Sequence, residues 1–314
     1  MLVGGALAIA GCGDHSDSSS SGQKTSSKKA VKIGLTLPPT SNEFWRAVEA
    51  GARFEAKRLD VGIAVAATQE IQPAEAINDI KNQLTAGANA ILTVAYDPGF
   101  KPTLDAALAD KIPVVCIDSC IPGWNAYTSF VRTDNAKAGQ IAGKYISKLV
   151  SGSGAVSIVT CPVQYPSCNA RQREARAVLR QSTGVKLFGP IGNQCDQAEG
   201  VKDVQNALTA NRAMKVLYGT CGQIALAADK VAEQNGSSFD VVGVDGAKAE
   251  LAAIRAGRQK ATVAQFPIRM GQLGVRQLVA AVRGEKVTKD IDSGAELVTA
   301  ENVADFIAEN SEPR

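Results

Sequence analysis

The sequence predicts an α/β protein built as two doubly wound parallel-sheet lobes, and three features carry that expectation. Short apolar runs with strand alternation recur along the chain; each is followed by a stretch with helical apolar spacing; and the series starts afresh after its middle. Ten such strands overfill one open sheet, so two sheets fit better. At 314 residues and 45% hydrophobic content, the chain has material for one large core or two ordinary ones.

The first unit sets the pattern. Val31, Ile33, Leu35 and Leu37 alternate with Lys32, Gly34 and Thr36, the period of a strand, and from Trp45 the apolar positions take helical spacing. Pro38 and Pro39 cannot continue a central ladder, and Thr40-Ser41-Asn42-Glu43 has the order of a capping box, with Thr40 as cap and Glu43 reaching back. Asn42, Phe44 and Trp45 then stand just beyond the carboxyl end of a strand, where open α/β sheets bind ligands. The two rings read either as core aromatics or as faces lying against the C–H surface of a sugar whose hydroxyls Asn42 bonds. The second reading gains weight because only 5% of the residues are aromatic and only two are tryptophan.

Further strands are expected at 61–68, 90–95 and 113–117, with helices at 73–86 and 98–109, each opened by a proline in its first turn. Asp118 stands at the carboxyl end of the fourth strand. After 127–131 and the segment Thr133-Asp134-Asn135, a second series is expected at 155–160, 185–191, 215–218, 240–244 and 262–264. The run Ser151 to Gly154 is a helix-to-strand loop, since a phosphate loop follows a strand and carries a lysine. Nothing between the two series is rich enough in proline, glycine and serine to be a floppy linker.

Composition excludes several classes. The net charge of +3 comes from 34 basic and 31 acidic residues that are interspersed, without the clustered basic footprint of a nucleic-acid binder. The single histidine, His15, lies in a polar tail, which removes imidazole triads and the usual histidine metal sites. No cofactor, metal or catalytic residue is therefore expected. Residues 1–12 are apolar and stop at Ile9-Ala10-Gly11-Cys12, a lipobox-like end to a secretory leader, with Cys12 as the lipidated residue. They are too few to span a bilayer, and they lack a positive n-region, so either the start lies upstream or the signal is imperfect. Residues 13–30 read as a flexible tether. That tether occupies the place where a repressor would carry its helix-turn-helix.

From Val31 to about Glu301 the chain resembles the periplasmic sugar-binding proteins of the ribose-binding type, which serve ABC importers and chemoreceptors. The landmarks are S-N-E-F-W and G-A-R-F-E-A, then I-P-V-V-C-I-D, R-T-D-N-A-K-A-G, N-A-R-Q-R, V-V-G-V-D-G and A-T-V-A-Q-F-P, in family order and spacing. The resemblance implies a periplasmic binding protein of type I, with three crossovers near Thr133, Gln265 and Gly294. It assigns 31–132 with 266–293 to the N-terminal lobe and 133–265 with 294–314 to the C-terminal lobe. It implies a monomer in the periplasm or on the outer cell surface, anchored through Cys12. Its partners are a small carbohydrate and the membrane subunits of an ABC permease or receptor, with no nucleic acid. The principal alternative is a ligand sensor for a chemoreceptor or sensor kinase without transport; a carbohydrate-active enzyme, using Asp118 and Asp245 as acid and base, is the remote one.

Carried over by position, the ligand set is Asn42, Phe44, Trp45, Asp118, Arg171, Asp245 and Gln265, with Ser119, Cys195 and Cys221 where the family has an arginine, an aromatic and an asparagine. Planar carboxylate, guanidinium and amide groups suit vicinal diols, because each engages two neighbouring hydroxyls. Bland alternatives stand beside them: Asp118 and Arg171 as a structural ion pair, Asp245 as an N-cap, Gln265 as a turn residue. Loss of the second arginine leaves two carboxylates against Arg171, which disfavours sugar acids and phosphates and favours a neutral sugar or polyol. Besides Cys12 there are six cysteines, and an exported compartment favours their oxidation. The family mapping pairs Cys195 with Cys221 and leaves Cys161 and Cys168 bracketing the loop that leads to Arg171. Cys116 is expected as a small core residue, with Cys120 its partner or free, and thiolate metal ligation is the alternative for the cluster.

Overall fold

The computed structural model describes residues 30–162, 165–193, 195–236 and 239–310, so the expected leader, Cys12 and all but the last residue of the tether lie outside the described residues. Two six-stranded sheets organise the chain. The first contains β1 (Lys32–Leu37), β2 (Gly62–Ala67), β3 (Ala90–Thr93), β4 (Val114–Ile117), β5 (Ser129–Arg132) and the late strand β11 (Asp290–Asp292), in the order β11-β5-β4-β3-β1-β2. The second contains β6 (Ser153–Thr160), β7 (Gly184–Gly192), β8 (Met214–Gly219), β9 (Asp240–Asp245), β10 (Ala261–Gln265) and β12 (Ala295–Thr299), in the order β12-β10-β9-β8-β6-β7. Strand order reverses between β1 and β3 in one sheet and between β6 and β8 in the other, the switch points at which such sheets bind ligands.

Ten helices connect them among the described residues: α1 (Glu43–Arg58), α2 (Pro73–Thr85), α3 (Lys101–Ala109), α4 (Asn135–Leu149), α5 (Pro166–Leu179), α6 (Gln197–Ala210), α7 (Gly222–Asn235), α8 (Lys248–Arg255), α9 (Pro267–Arg283) and α10 (Val303–Glu309). The segment expected as one helix at 98–109 begins as a 3-10 turn, Pro98–Phe100. Two corrections concern the sheets. The strands β11 and β12 were not expected; each is a short edge strand, β11 with one apolar residue and β12 with three that do not alternate, too little for a periodic signal. The second sheet is also not wholly parallel, because β12 runs antiparallel to β10.

The chain passes between lobes three times, between β5 and α4, between β10 and α9, and between β11 and β12. These passages touch one another. Thr133 Oγ1 lies 3.3 Å from Ser293 Oγ, Asp134 N donates to Asp292 Oδ1 at 3.1 Å, and Arg269, stacked over Phe266, donates to the Ser293 carbonyl at 3.3 Å. Consequently α9 leaves the second sheet yet buries Met270, Val275 and Leu278 against Leu92 and Ile117 in the first core. The second lobe has its own cores, centred on Val156, Ile158 and Tyr218 and on Leu217, Ile224 and Val241.

Candidate ligand-binding site

The α1 entry is capped by Asn42, not Thr40. Asn42 has extended backbone and its Oδ1 accepts from Phe44 N at 2.9 Å, while Glu43 pairs with Arg46 rather than reaching back. Residues 40 and 41 instead form the turn after the two prolines, with Asn42 N donating to the Pro39 carbonyl at 3.2 Å. One lone-pair direction of the Asn42 amide is therefore committed to its own helix. Phe44 packs in the first core, meets Trp45 edge-on at 4.8 Å and also lines the cavity between the lobes, while Trp45 is half-exposed.

Asp118 follows β4 directly and is buried, with φ 60°; its Oδ2 accepts from Ser119 Oγ at 2.8 Å. Burial pushes its carboxyl above the ordinary range, the Arg171 charge and the Ser119 bond pull it back, and Asp245 pushes it up again. Residues from both lobes thus share one electrostatic field. The guanidinium is the centre of that field. Arg171 sits on α5, 2% exposed, and donates to Asn135 Oδ1 at 2.7 Å and to the Thr220 carbonyl at 2.9 Å. Its Nη1 is 3.5 Å from Asp245 Oδ1, so the ion pair in the site is with Asp245 and not the Asp118 pair considered from sequence.

A close helix approach places this arginine. Gly139 and Gly143 lie on the face of α4 against α5, and a Cβ on Gly139 would stand 2.4 Å from the Arg171 carbonyl oxygen. Without side chains there, α5 comes near enough for Arg171 to reach Asn135 at the start of α4.

Asp245 ends β9 at φ 116° and is also held on several sides. Gly222 N donates to Oδ2 at 2.9 Å and Gln265 Nε2 to Oδ1 at 2.7 Å. Burial raises its carboxyl, and Arg171, Gly222 and Gln265 oppose the rise. The cap of the following helix is Ala247, which removes the capping alternative for Asp245. Gln265 leaves its Oε1 without a partner although the residue is buried. Among the described residues, six non-glycine positions have positive φ, and Asp118, Cys195 and Asp245 are three of them, a concentration of backbone strain at one place.

All six described cysteines are bridged: Cys116–Cys120, Cys161–Cys168 and Cys195–Cys221. Cys116 is buried in the first core, as expected, and of the two states left open for Cys120 the structure has the bonded one, because the turn after β4 brings Cys120 back to a Cα separation of 5.7 Å. The sulfurs of Cys161, Cys195 and Cys221 lie within 4.8 Å of one another, so two bridges form one largely buried sulfur cluster in the second lobe. Bonded in this way they are not thiolates, the form a metal takes.

Several participants escaped sequence reasoning. Tyr96, three residues past β3, stacks on Tyr165 of the second lobe at 5.5 Å and 28°, joining the lobes across the cleft. Burial pushes both phenols up, Tyr165 to about 12. Tyr96 had a usable signal, an aromatic just beyond a strand's carboxyl end at the switch point. Tyr218 Oη is buried without a partner in the field of Arg171 and Asp245. Asn135 lay within a motif quoted for resemblance, but its role as an arginine support needs the α4–α5 geometry.

A family model described as a periplasmic binding protein domain matches residues 33–286. The chain is 28% identical over 260 residues to the ribose import binding protein RbsB of Salmonella typhimurium, covering 81% of this chain and 86% of that one. Among solved structures it is similar to a carbohydrate transporter solute-binding protein of Agrobacterium radiobacter in complex with D-arabinose, with TM-score 0.83, 26% identity and coverage of 91% and 100%. It is likewise similar to an ABC transporter solute-binding protein of Agrobacterium vitis with bound D-fucose, with TM-score 0.82, 26% identity and coverage of 89% and 99%.

Proposed function

The chain belongs to the periplasmic binding protein domain family, and from that premise we propose that it is an extracytoplasmic solute-binding lipoprotein that closes on a neutral sugar or polyol and delivers it to an ABC importer. The observation that carries the reading is a buried set in the second lobe, Arg171, Asp245 and Gln265 held to one another, with the buried Asp118 of the first lobe in the same electrostatic field. Two carboxylates against one guanidinium leave a site rich in acceptors for hydroxyl groups and poor in cations for an acid. Relatives and similar structures named for ribose, D-arabinose and D-fucose support the same ligand class. Binding rather than turnover is favoured because two hydrogen bonds and the Arg171 ion pair hold Asp245 in place, leaving it little freedom to shuttle a proton.

The N-terminal segment supports anchoring: acylation of Cys12 after cleavage would hold the domain on a membrane through the tether of residues 13–30. The test is a thermal-shift screen of neutral sugars and polyols. A ligand at 100 times its Kd should stabilise the protein by about 2.7 kcal/mol and change Trp45 fluorescence. Sugar acids should do neither. Detergent fractionation of cells carrying the wild-type or Cys12→Ser gene tests the anchor, with only the variant expected in the aqueous phase. A screen in which no neutral carbohydrate shifts the transition refutes the capture reading.

A further inference from the structure

Beside Asp245 and Gln265 the interlobe cleft continues into a cavity of 660 Å³. Ala47 of α1 and Ile268 of α9 come from the first lobe's side, Leu251 and Ala252 of α8 and Ile307 of α10 from the second, and Phe266 from the crossover between them. An occupant therefore touches both lobes. A hexose has twelve non-hydrogen atoms, and even at the roughly 30 Å³ that each liquid water claims they need no more than about 360 Å³. Much of the cavity lies beyond what one sugar ring fills. The unpartnered Oε1 of buried Gln265 marks its polar end, and the far walls are largely apolar.

Four cations, Arg46, Lys248, Arg255 and Arg269, and, besides Asp245, two acids, Glu43 and Glu309, line it. Arg46 pairs with Glu43 at 3.7 Å, Arg269 is stacked 4.4 Å over Phe266, and Lys248 also has a partner, so three of the four cations are already engaged within the protein. We propose that the ligand is a glycoside, a sugar held through its hydroxyls by Asp118, Arg171, Asp245 and Gln265 whose neutral aryl or alkyl substituent lies in this cavity. The inference rests on the capture reading and narrows it to a substrate class.

The test is calorimetric titration of the full chain in detergent with D-ribose, D-allose and D-arabinose and with both anomers of their methyl and phenyl glycosides. At least one phenyl glycoside should bind roughly tenfold or more tightly than its parent sugar, the return on burying an apolar ring. Ala252→Trp fills the cavity from an exposed helix position, so the fold should tolerate it. That variant should lose the phenyl gain and keep the parent sugar's affinity. A parent sugar that binds while every glycoside binds equally or more weakly overturns the glycoside and leaves sugar capture standing. A phenyl gain that survives in Ala252→Trp also overturns it, by placing the substituent elsewhere. Absence of binding by every carbohydrate overturns both.

Discussion

Asp118 in the first lobe and Asp245 in the second stand at matching places, each at the carboxyl end of a strand, each buried and each at positive φ. Their surroundings differ. Asp245 is gripped by Gly222 N, Gln265 Nε2 and Arg171, and Arg171 is itself fixed by Asn135 and Thr220. Asp118 has the neighbouring Ser119 hydroxyl as its hydrogen-bond donor. An ionised carboxylate has about four acceptor directions, so the first lobe keeps most of its capacity for a ligand, whereas the second has assembled its network beforehand. On the proposed capture reading the difference teaches a division of labour: the second lobe acts as a prearranged template and the first as a lid whose carboxylate the ligand completes.

The largest test of that division replaces the template's cation. Arg171→Met should abolish sugar binding and cost about 3–5 kcal/mol of stability, since it leaves Asp245 buried without its partner. Asp118→Asn should stay within about 1 kcal/mol of wild type yet weaken sugar binding roughly 10- to 100-fold, the worth of a hydrogen bond to a charged group. Denaturant unfolding and titration calorimetry on the pair decide the matter. Equal stability losses in the two variants would erase the contrast between template and lid.

The bridges sharpen the same contrast at smaller scale. Cys195–Cys221 closes a separation of 26 residues in the second lobe and Cys116–Cys120 one of 4 in the first. On loop entropy alone, replacing both cysteines by alanine should cost about 3.5 kcal/mol for the former and about 2 kcal/mol for the latter. Both should also change ligand affinity, because Cys116–Cys120 encloses Asp118 and Ser119, and the sulfurs of Cys195–Cys221 cluster with that of Cys161 in the second lobe. The reverse order in unfolding experiments would show that the first lobe is the more constrained.

How far the sequence reaches follows the same line. Alternating apolar residues such as Val31 to Leu37 announce a strand, and the βα repetition announces both sheets, because burial and backbone period are local properties. Resemblance to a known family located Asp118, Arg171, Asp245 and Gln265, residues that no periodicity could single out. What stayed hidden depends on tertiary approach. The commitment of Asn42 to its own helix is decided by backbone angles in one turn. Arg171's choice of Asp245 over Asp118 depends on how closely α4 lets α5 approach. The Tyr96–Tyr165 stack exists only once the lobes meet. The edge strands β11 and β12 are too short to declare themselves.

The last contrast is between two buried glutamates, and pH reads it. In the second lobe Glu250 lies near Asp245, accepting from Gln259 Nε2 at 3.0 Å and from Ala247 N at 3.1 Å. Burial, and then the Asp245 charge, push its carboxyl up to about 8 from the ordinary 4.5. The folded state therefore holds a proton that the unfolded state has released. Its stabilising effect is complete below pH 4.5, declines as pH rises through the window to about 8, and is flat above. The slope is at most about 1.4 kcal/mol per pH unit. In the first lobe Glu55 is also buried, but Arg58 and Arg276 overcome the burial and hold it at about 2. Its sign is opposite: the contribution is present above 4.5 and lost as pH falls toward 2. Glu250→Gln should flatten the decline between pH 5 and 8 and be no less stable than wild type at pH 8. Glu55→Gln should be destabilising at pH 7, with the deficit shrinking on acidification. Unfolding free energies at pH 3, 5, 6.5 and 8 separate the two, and a Glu250→Gln profile parallel to wild type would mean that Glu250 is already ionised in the fold.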